Sequence, residues 1–467
     1  MPTALEIAAA VRNRTLSPVD SVEQALARID AVEPQIHAWV EIDRAGALAQ
    51  ARALADAIAR DTGSVPKDQA AGRPFSGGPG VSPGFQRLLG VPVGVKDIID
   101  VAHLPTRLGA APFAHYTPND DATAVARLRA AGAIILGKTH TTEFAYLDPA
   151  PTCNPWNRKH TPGGSSSGSA ASVGARAIPL ALGSQTVGSV LRPAAYCGAV
   201  GLKPTYGLIP YTGTAALAAG FDHLGVLAGT VADAALALGV LAGYDRFDPA
   251  SVDAPPVDYL AAIANPSPPR IGIVRSYYRG AAGPEVEAHL EDVAGLFAVA
   301  GATVAEAEMP GDAATLRAWG DPVMQHEAAE AHARLYAAHG SEYRTSIRTL
   351  VEAGQKVGDD AYQAGRAAVR RMREGIIDAL RPFDVLLLPV APATAPDSIE
   401  TTGQGIFCAP ASFTGLPAIS LPSRLAANGL PLAVQLIAAP LAEATLLRAA
   451  AWAEGVLNFT AKPDIAP

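Results

Sequence analysis

Two stretches rich in glycine and serine, T-P-G-G-S-S-S-G-S-A (Thr161 to Ala170) and G-S-Q-T-V-G-S-V-L-R-P (Gly183 to Pro193), lie close together in this sequence. They follow a lysine in the segment G-V-K-D (Gly94 to Asp97). Together the three segments supply hydroxyl groups, one amine and loops of backbone amides. These groups suffice to attack an amide carbonyl and to hold the resulting oxyanion without metal, cofactor or histidine. The stretches therefore predict a serine-dependent hydrolase.

The segments around these stretches alternate between strand and helix patterns. A strand-like segment at 89–101, an amphipathic helix after Ala122 and an apolar strand at 133–136 follow one another. Short apolar runs at 271–274, 385–390, 418–421 and 432–437 predict further strands, the last two of them adjacent. We therefore expect one α/β domain over residues 1–467, with a central mixed β-sheet covered by helices on both faces.

Composition divides this domain into regions. Residues 1–60 predict three N-terminal helices, and residues 61–88 form a Gly- and Pro-rich loop long enough to serve as a lid. The core with the glycine-serine motifs covers 89–240. Residues 316–380 predict mixed-charge helices, and we expect them to carry substrate specificity. A closing helix is expected at 443–457.

The overall charge and the cysteine content restrict the class of partner and compartment. The formal net charge is -8, and no basic stripe is visible, so nucleic acid and anionic membrane are not expected as partners. No run of eighteen uncharged apolar residues predicts a membrane helix, and the N-terminus does not resemble a signal peptide. Three separated cysteines and scattered histidines predict neither a disulfide framework nor a metal site. We expect a cytoplasmic enzyme without cofactors that acts on a small molecule, with a homodimer left open.

Two other motif expressions fit short segments of this sequence, but the surrounding residues do not suit either motif. The segment G-A-I-I-L-G-K-T (Gly132 to Thr139) fits the phosphate-loop expression, but its apolar spacer residues favour a buried strand. The segment at 164–168 fits the nucleophile elbow G-x-S-x-G, which would make Ser166 the nucleophile of an α/β-hydrolase-type esterase. An elbow must follow a buried strand, whereas residues 154–162 are polar and contain prolines. This esterase reading is an alternative.

The ordered motifs together resemble the amidase signature family, and the resemblance covers nearly the whole chain. The motifs are G-V-K-D, G-G-S-S-S-G-S-A, G-S-Q-T-V-G-S, C-G-A-V-G-L-K-P-T (Cys197 to Thr205), F-D-H-L-G-V-L-A (Phe221 to Ala228) and T-G-L-P-A-I-S-L-P (Thr414 to Pro422). The resemblance implies the fold of that family and an amidase that forms an acyl-enzyme.

The resemblance also implies a role for each matching residue. Ser189 would be the nucleophile, Ser165 the bridging serine after a cis Gly164–Ser165 peptide, and Lys96 the base. Ser166 would orient the lysine amine or the loop. The backbone N–H groups of Thr186, Val187, Gly188 and Ser189 would form the oxyanion hole. A lysine acts as a base only when neutral, so burial among apolar neighbours must lower its pKa, and Asp97 must point elsewhere.

Three positions depart from the usual pattern of the family. Gln185 stands where an aspartate is common, Val187 where a glycine is common, and the arginine is shifted to Arg192, before a proline. This form resembles the branch that contains malonamidases and biuret-type hydrolases. It implies that Arg192 meets a carboxylate of the substrate and that Gln185 also contacts substrate, while a structural arginine that braces the loop is equally open.

These observations predict an amidohydrolase that cleaves linear C–N bonds of small amides through a Ser-cisSer-Lys triad, with carbamates, ureas and small esters as related substrates. A second hypothesis is the glutaminase component of a tRNA-dependent amidotransferase. Relatives with that role usually keep the aspartate and glycine that Gln185 and Val187 replace. A third hypothesis is a binding protein without activity, against which the retained hydroxyls and amine argue.

Overall fold

A computed structural model describes residues 1–60 and 87–465 of the 467-residue chain. Fifteen α-helices and eleven β-strands occur in these ranges. The helices are α1 (Ala4–Arg12), α2 (Pro18–Ile36), α3 (Arg44–Arg60), α4 (Thr123–Ala130), α5 (Ser167–Gly174), α6 (Leu191–Cys197), α7 (Val231–Leu241), α8 (Tyr259–Ile263), α9 (Arg275–Tyr278), α10 (Pro284–Val299), α11 (Ala313–His339), α12 (Thr345–Gly354), α13 (Asp359–Leu380), α14 (Ala409–Phe413) and α15 (Glu443–Leu457). The strands are β1 (Trp39–Ile42), β2 (Pro92–Lys96), β3 (Ile134–Thr139), β4 (Leu180–Gln185), β5 (Val200–Lys203), β6 (His223–Ala228), β7 (Arg270–Ile273), β8 (Thr303–Glu306), β9 (Val385–Pro389), β10 (Ala418–Leu425) and β11 (Pro431–Ile437).

All eleven strands of the described ranges join one mixed sheet in the order β1-β3-β2-β4-β6-β5-β10-β11-β9-β7-β8. Parallel pairs occur at β3-β2-β4 and at β9-β7-β8, and the strands between them are antiparallel. The parallel pairs need crossover connections, which explains the strand and helix alternation of the sequence. The predicted α/β domain with a central mixed sheet is confirmed.

Helices cover both faces of this sheet because successive side chains of a strand point to opposite faces. On β3, Ile135 packs into the larger hydrophobic cluster, whereas Ile134 and Leu136 pack into a second cluster under α2, α3, α5 and α6. The same alternation occurs on β4, where Ala181 faces the second cluster and its neighbours face the first. Both faces are therefore buried, as expected for strands that read as nearly continuous apolar runs.

The N-terminal region differs from its prediction in one respect. The sequence predicts three helices over residues 4–60, and the structure has these three helices with β1 inserted between α2 and α3. This four-residue strand pairs antiparallel with β3 at the edge of the sheet. Its pairing partner lies almost a hundred residues further along the chain, so local periodicity does not reveal it. The phosphate-loop motif lies on β3, as its apolar spacer predicts.

The long loop predicted at 61–88 falls mostly outside the described residues, which resume at residue 87. Its predicted role as a lid stays a prediction. In the described parts of the chain, no helix combines the length and the apolar character needed to cross a bilayer. The mixed-charge helices predicted at 316–380 are α11, α12 and α13.

Candidate active site

Lys96 is the last residue of β2, and its side chain is completely buried. Its Nζ atom lies 2.6 Å from Ser165 Oγ and 2.7 Å from Ser184 Oγ. Burial lowers the pKa of Lys96 well below its ordinary value, and the nearby carboxylate of Asp222 opposes this shift without forming an ion pair with the amine. A neutral amine in contact with a serine hydroxyl can accept its proton.

The next residue, Asp97, forms an ion pair with a second buried lysine rather than with Lys96. Asp97 Oδ1 lies 3.0 Å from Lys138 Nζ, and both side chains are fully buried. Lys138 is on β3, which pairs parallel with β2, so the two lysines belong to neighbouring strands. Lys138 Nζ also donates to Thr106 Oγ1 at 2.7 Å. The expectation that Asp97 points elsewhere agrees with this geometry.

Replacing Lys138 by Met is expected to lower the free energy of unfolding by about 3–5 kcal/mol, because it leaves the buried Asp97 carboxylate without its cation. Chemical denaturation at neutral pH measures this loss. Lys138→Met with Asp97→Asn removes both charges and is expected to recover most of the stability. If Lys138→Met alone is as stable as the parent, the ion pair has no structural role.

The first glycine-serine stretch forms a loop that leads into α5. The Gly164–Ser165 peptide bond is cis, as the family resemblance implies, and Gly163 before it has a φ of 81°, which favours glycine. Ser165 is fully buried. Ser166 Oγ contacts both the backbone O and the backbone N of Ser184 at 3.2 Å. Ser166 therefore joins the loop to β4.

The geometry does not favour Ser166 as an elbow nucleophile. Its hydroxyl is fully buried and bound to backbone groups. Within the described ranges, residues 151–166 form no strand, so the strand that an elbow requires is missing. The supporting role predicted for Ser166 agrees with its contacts, whereas the esterase alternative has no geometric support.

Ser189 lies in the second stretch, on the turn between β4 and α6. Its backbone O accepts a hydrogen bond from Ser166 N at 3.2 Å, which brings the two stretches together. The residue is 7% exposed, whereas Lys96 and Ser165 are 0% exposed. Ser189 also lines a pocket, whereas Lys96 and Ser165 are not among the residues that line it.

The turn that carries Ser189 is held by the side chains of Gln185 and Ser412. Gln185 Oε1 accepts from the N–H groups of Val190 and Leu191 at 2.8 and 2.9 Å, and Gln185 Nε2 donates to Ser412 Oγ at 2.8 Å. Ser412 Oγ then donates to Val187 O at 2.6 Å. Because both ends of the Gln185 amide are engaged here, the geometry supports a role in the loop rather than the predicted contact with substrate.

The four backbone N–H groups predicted for the oxyanion hole all belong to this turn. Thr186, Val187, Gly188 and Ser189 line the pocket, and their N–H groups donate to no acceptor in the parts of the chain described here. Thr186 Oγ1 donates to Asp222 Oδ1 at 2.5 Å. This bond holds Thr186, the first residue of the turn, in place. Free N–H groups at a pocket wall suit an oxyanion. Their role stays a prediction.

Arg192 braces the site from the side of α6. Its guanidinium donates to Gly403 O at 2.9 Å, to Gly164 O at 2.6 Å and to Thr402 Oγ1 at 3.2 Å. The side chain is 4% exposed but borders the pocket. The structural role that the sequence left open therefore agrees with its contacts, and a contact with substrate stays a prediction.

The pocket has a volume of about 270 Å³ and draws its lining from distant parts of the chain. Apolar and polar side chains contribute in equal number, and the charged ones are arginines. The lining residues are Ala145, Tyr146, Leu147, Thr186, Val187, Gly188, Ser189, Arg192, Leu217, Arg317, Met324, Gly403, Gln404, Gly405 and Ile406. Arg317 and Met324 of α11 belong to this lining, and the specificity predicted for 316–380 stays a prediction.

Sequence reasoning missed two residues behind the pocket. Ser184 precedes Gln185 on β4 and contacts Lys96, which the parallel pairing of β2 and β4 explains. Asp222 belongs to the F-D-H-L motif, and it accepts hydrogen bonds from Thr186 Oγ1 and from Leu217 N. Burial raises the pKa of Asp222 to about 6. Strand pairing would have indicated Ser184, but no local signal indicates the contacts of Asp222.

A family model and curated relatives both match most of this chain. A model of the family described as Amidase matches residues 84–447. A glutamyl-tRNA(Gln) amidotransferase subunit from Roseiflexus castenholzii is 37% identical over 474 residues, covering 93% of this chain and 91% of the relative. The corresponding subunit from Geobacter sp. (strain M21) is 32% identical and covers 96% of each chain.

Solved structures of the same fold include a peptide amidase and a chain of a protein complex. Native peptide amidase from Stenotrophomonas maltophilia is 27% identical, with a TM-score of 0.81 over 99% of this chain and 98% of the amidase. A chain of a vestigial protein complex that reveals the evolutionary origins of an s-triazine catabolic enzyme is 29% identical, with a TM-score of 0.86 over 100% of both chains. The branch predicted from the Gln185 and Arg192 motif stays a prediction. The chain belongs to the amidase signature family and is a hydrolase of carbon–nitrogen bonds.

Proposed function

We propose that this protein is an amidohydrolase that cleaves linear amides of small molecules through an acyl-enzyme on Ser189. The observation that carries this proposal is the buried contact of Lys96 Nζ with Ser165 Oγ at 2.6 Å. It is supported by the backbone hydrogen bond from Ser166 N to Ser189 O, which joins the loop of Ser165 to the turn of Ser189 at the pocket. Carbamates, ureas and small esters present a comparable carbonyl and are related substrates.

Acylation begins when Ser189 Oγ attacks the carbonyl carbon of the amide. Its proton passes to Ser165 Oγ, and the proton of Ser165 passes to the neutral amine of Lys96. One N–H of this amine is held by Ser184, so its lone pair is free to face Ser165. The N–H groups of the turn at 186–189 would hold the oxyanion, where the loss of one donor typically costs about 3 kcal/mol.

The tetrahedral intermediate collapses when the C–N bond breaks. Lys96 returns its proton through Ser165 to the leaving nitrogen, which departs as a neutral amine. Water then enters and attacks the ester on Ser189, giving its proton to the same relay, and the carboxylic acid product leaves with the serine restored. Each step uses the same proton relay, so the buried lysine acts as base and then as acid.

The glutaminase component of an amidotransferase is the second candidate function. It is favoured by the identity of 37% with a glutamyl-tRNA(Gln) amidotransferase subunit. Glutamine carries an α-ammonium group, which needs an anionic or strongly polar partner. Among the described residues, those that line the pocket include no aspartate or glutamate. The pocket therefore offers less to glutamine than to an amide without an ammonium group.

Steady-state assays of the purified chain distinguish the two functions. We expect hydrolysis of several aryl and alkyl amides by the chain alone, with release of the amine, and little release of ammonia from glutamine. Glutaminase activity that exceeds every other amide, alone or with the other components of an amidotransferase, would favour the second candidate. Failure to turn over any amide, urea, carbamate or ester would refute both hydrolase proposals.

A further inference from the structure

The pocket carries three polar side chains that the proposed mechanism does not use. Arg317, Tyr146 and Gln404 all line the pocket. Within residues 1–60 and 87–465, the side chains of Tyr146 and Gln404 have no hydrogen-bond partner, and Arg317 has one ion-pair partner, Asp321. Arg192, which lines the same pocket, makes several hydrogen bonds. Polar groups that face a pocket with few internal partners are available to bind a ligand.

Arg317 lies in the first turns of α11, and its acidic neighbour is Asp321, one helical turn further on. Arg317 Nη2 lies 3.0 Å from Asp321 Oδ1. This contact engages one nitrogen of the guanidinium, so the ion pair restrains the arginine while its other N–H groups stay available. The arginine side chain is 37% exposed, whereas Ser189 is 7% exposed, so Arg317 lies nearer the opening.

Tyr146 and Gln404 add hydrogen-bond donors to the same pocket lining. Tyr146 follows the short 3-10 helix Glu143–Ala145 and lines the same pocket as Arg317. The apolar wall consists of Leu217, Met324 and Ile406, among others. The pocket lining therefore combines apolar side chains with cationic and hydrogen-bond-donating ones.

We infer that Arg317, with Tyr146 and Gln404, forms a subsite for a carboxylate of the substrate, so that the substrates are amides that bear an anionic group. This inference rests on the proposed function and specifies its substrate class. An aliphatic spacer would pack on the apolar wall, with its amide carbonyl at Ser189 and its carboxylate at the opening. Guanidinium and carboxylate form charge-assisted hydrogen bonds that can be bidentate.

Two 4-nitroanilides test this subsite: the mono-anilide of glutaric acid, which keeps a free carboxylate, and the anilide of pentanoic acid, which does not. We expect the parent protein to have a kcat/KM about tenfold or more higher for the acidic anilide. Arg317→Gln is expected to remove this preference mainly through a higher KM for the acidic anilide, so that the ratio of kcat/KM between the two anilides falls towards one. Arg317→Lys keeps the charge and is expected to retain part of the preference.

Arg334→Gln is the matched control, because Arg334 is an exposed arginine on the same helix that does not line the pocket. Its preference for the acidic anilide should equal that of the parent. Equal rates for both anilides in the parent, or an equal loss for both in Arg317→Gln, would overturn the subsite while leaving the hydrolase proposal intact. If neither anilide nor any other amide is cleaved, the proposed function itself fails.

Discussion

Ser189→Ala is expected to reduce kcat/KM for amide hydrolysis by about 10⁴-fold or more, because the substitution removes the atom that forms the acyl-enzyme. A fluorophosphonate probe is expected to label the parent protein on the peptide that contains Ser189 and to leave Ser189→Ala unlabelled. Intact-mass and peptide-mass measurements detect the adduct directly, without knowledge of the natural substrate.

Ser172→Ala is a suitable control for this variant. Ser172 lies on α5, next to the site, and its buried hydroxyl has no hydrogen-bond partner among the described residues. Activity and labelling should stay within about twofold of the parent, as is usual for a substitution that removes no interaction. Labelling that persists in Ser189→Ala, or an adduct on the Ser166 peptide, would contradict the assignment of the nucleophile.

Lys96→Met is expected to reduce kcat/KM by about 10² to 10⁴-fold, the usual contribution of a general acid–base group. The parent should gain activity with rising pH as Lys96 loses its proton, because only the neutral amine can accept the proton of Ser165. Burial places this change at a pH well below 10.5, the ordinary pKa of lysine. The variant should lack this pH-dependent limb in its kcat/KM profile.

The same substitution should not destabilise the protein at neutral pH. Because the folded-state pKa of Lys96 is lowered, the unfolded chain binds more protons than the folded chain between that pKa and 10.5. The free energy of unfolding of the parent therefore rises with pH across this window. A Met side chain carries no charge that burial disfavours, so the variant lacks this destabilisation. We expect Lys96→Met to be more stable than the parent at pH 7, with a difference that shrinks as the pH approaches 10.5.

Denaturation of both proteins at several pH values tests this expectation and separates loss of catalysis from loss of folding. The contrast with Lys138→Met is informative, since Lys138 is another buried lysine on the neighbouring strand but pairs with Asp97. Lys96 would be excluded as the base if kcat/KM of Lys96→Met stayed within about tenfold of the parent. It would also be excluded if kcat/KM of the variant rose with pH in the same way as that of the parent.

The sequence predicted most of the fold because its signals are local. Apolar runs and helix caps mark the strands and helices, and the closing helix predicted at 443–457 is α15. The prediction was wrong at residues 39–42, where a strand interrupts the helices. This strand exists because Trp39 and its neighbours pair with β3, a non-local contact that propensity cannot report.

For the candidate site, the sequence supplied the chemical groups: one lysine, the serines of two glycine-rich turns and the N–H groups of the second turn. Only the tertiary structure decided which of them meet. Pairing of β2 with β4 places Ser184 on Lys96, and the loop before α5 brings Ser165 to the same amine. Asp97 pairs with Lys138 of the neighbouring strand, so Lys96 has no ion-pair partner among the described residues. The pocket wall joins Arg317 to Ser189 across more than a hundred residues. Residue identity fixes which reactions are available, but proton transfer and charge recognition act over a few ångströms, and only folding sets those distances.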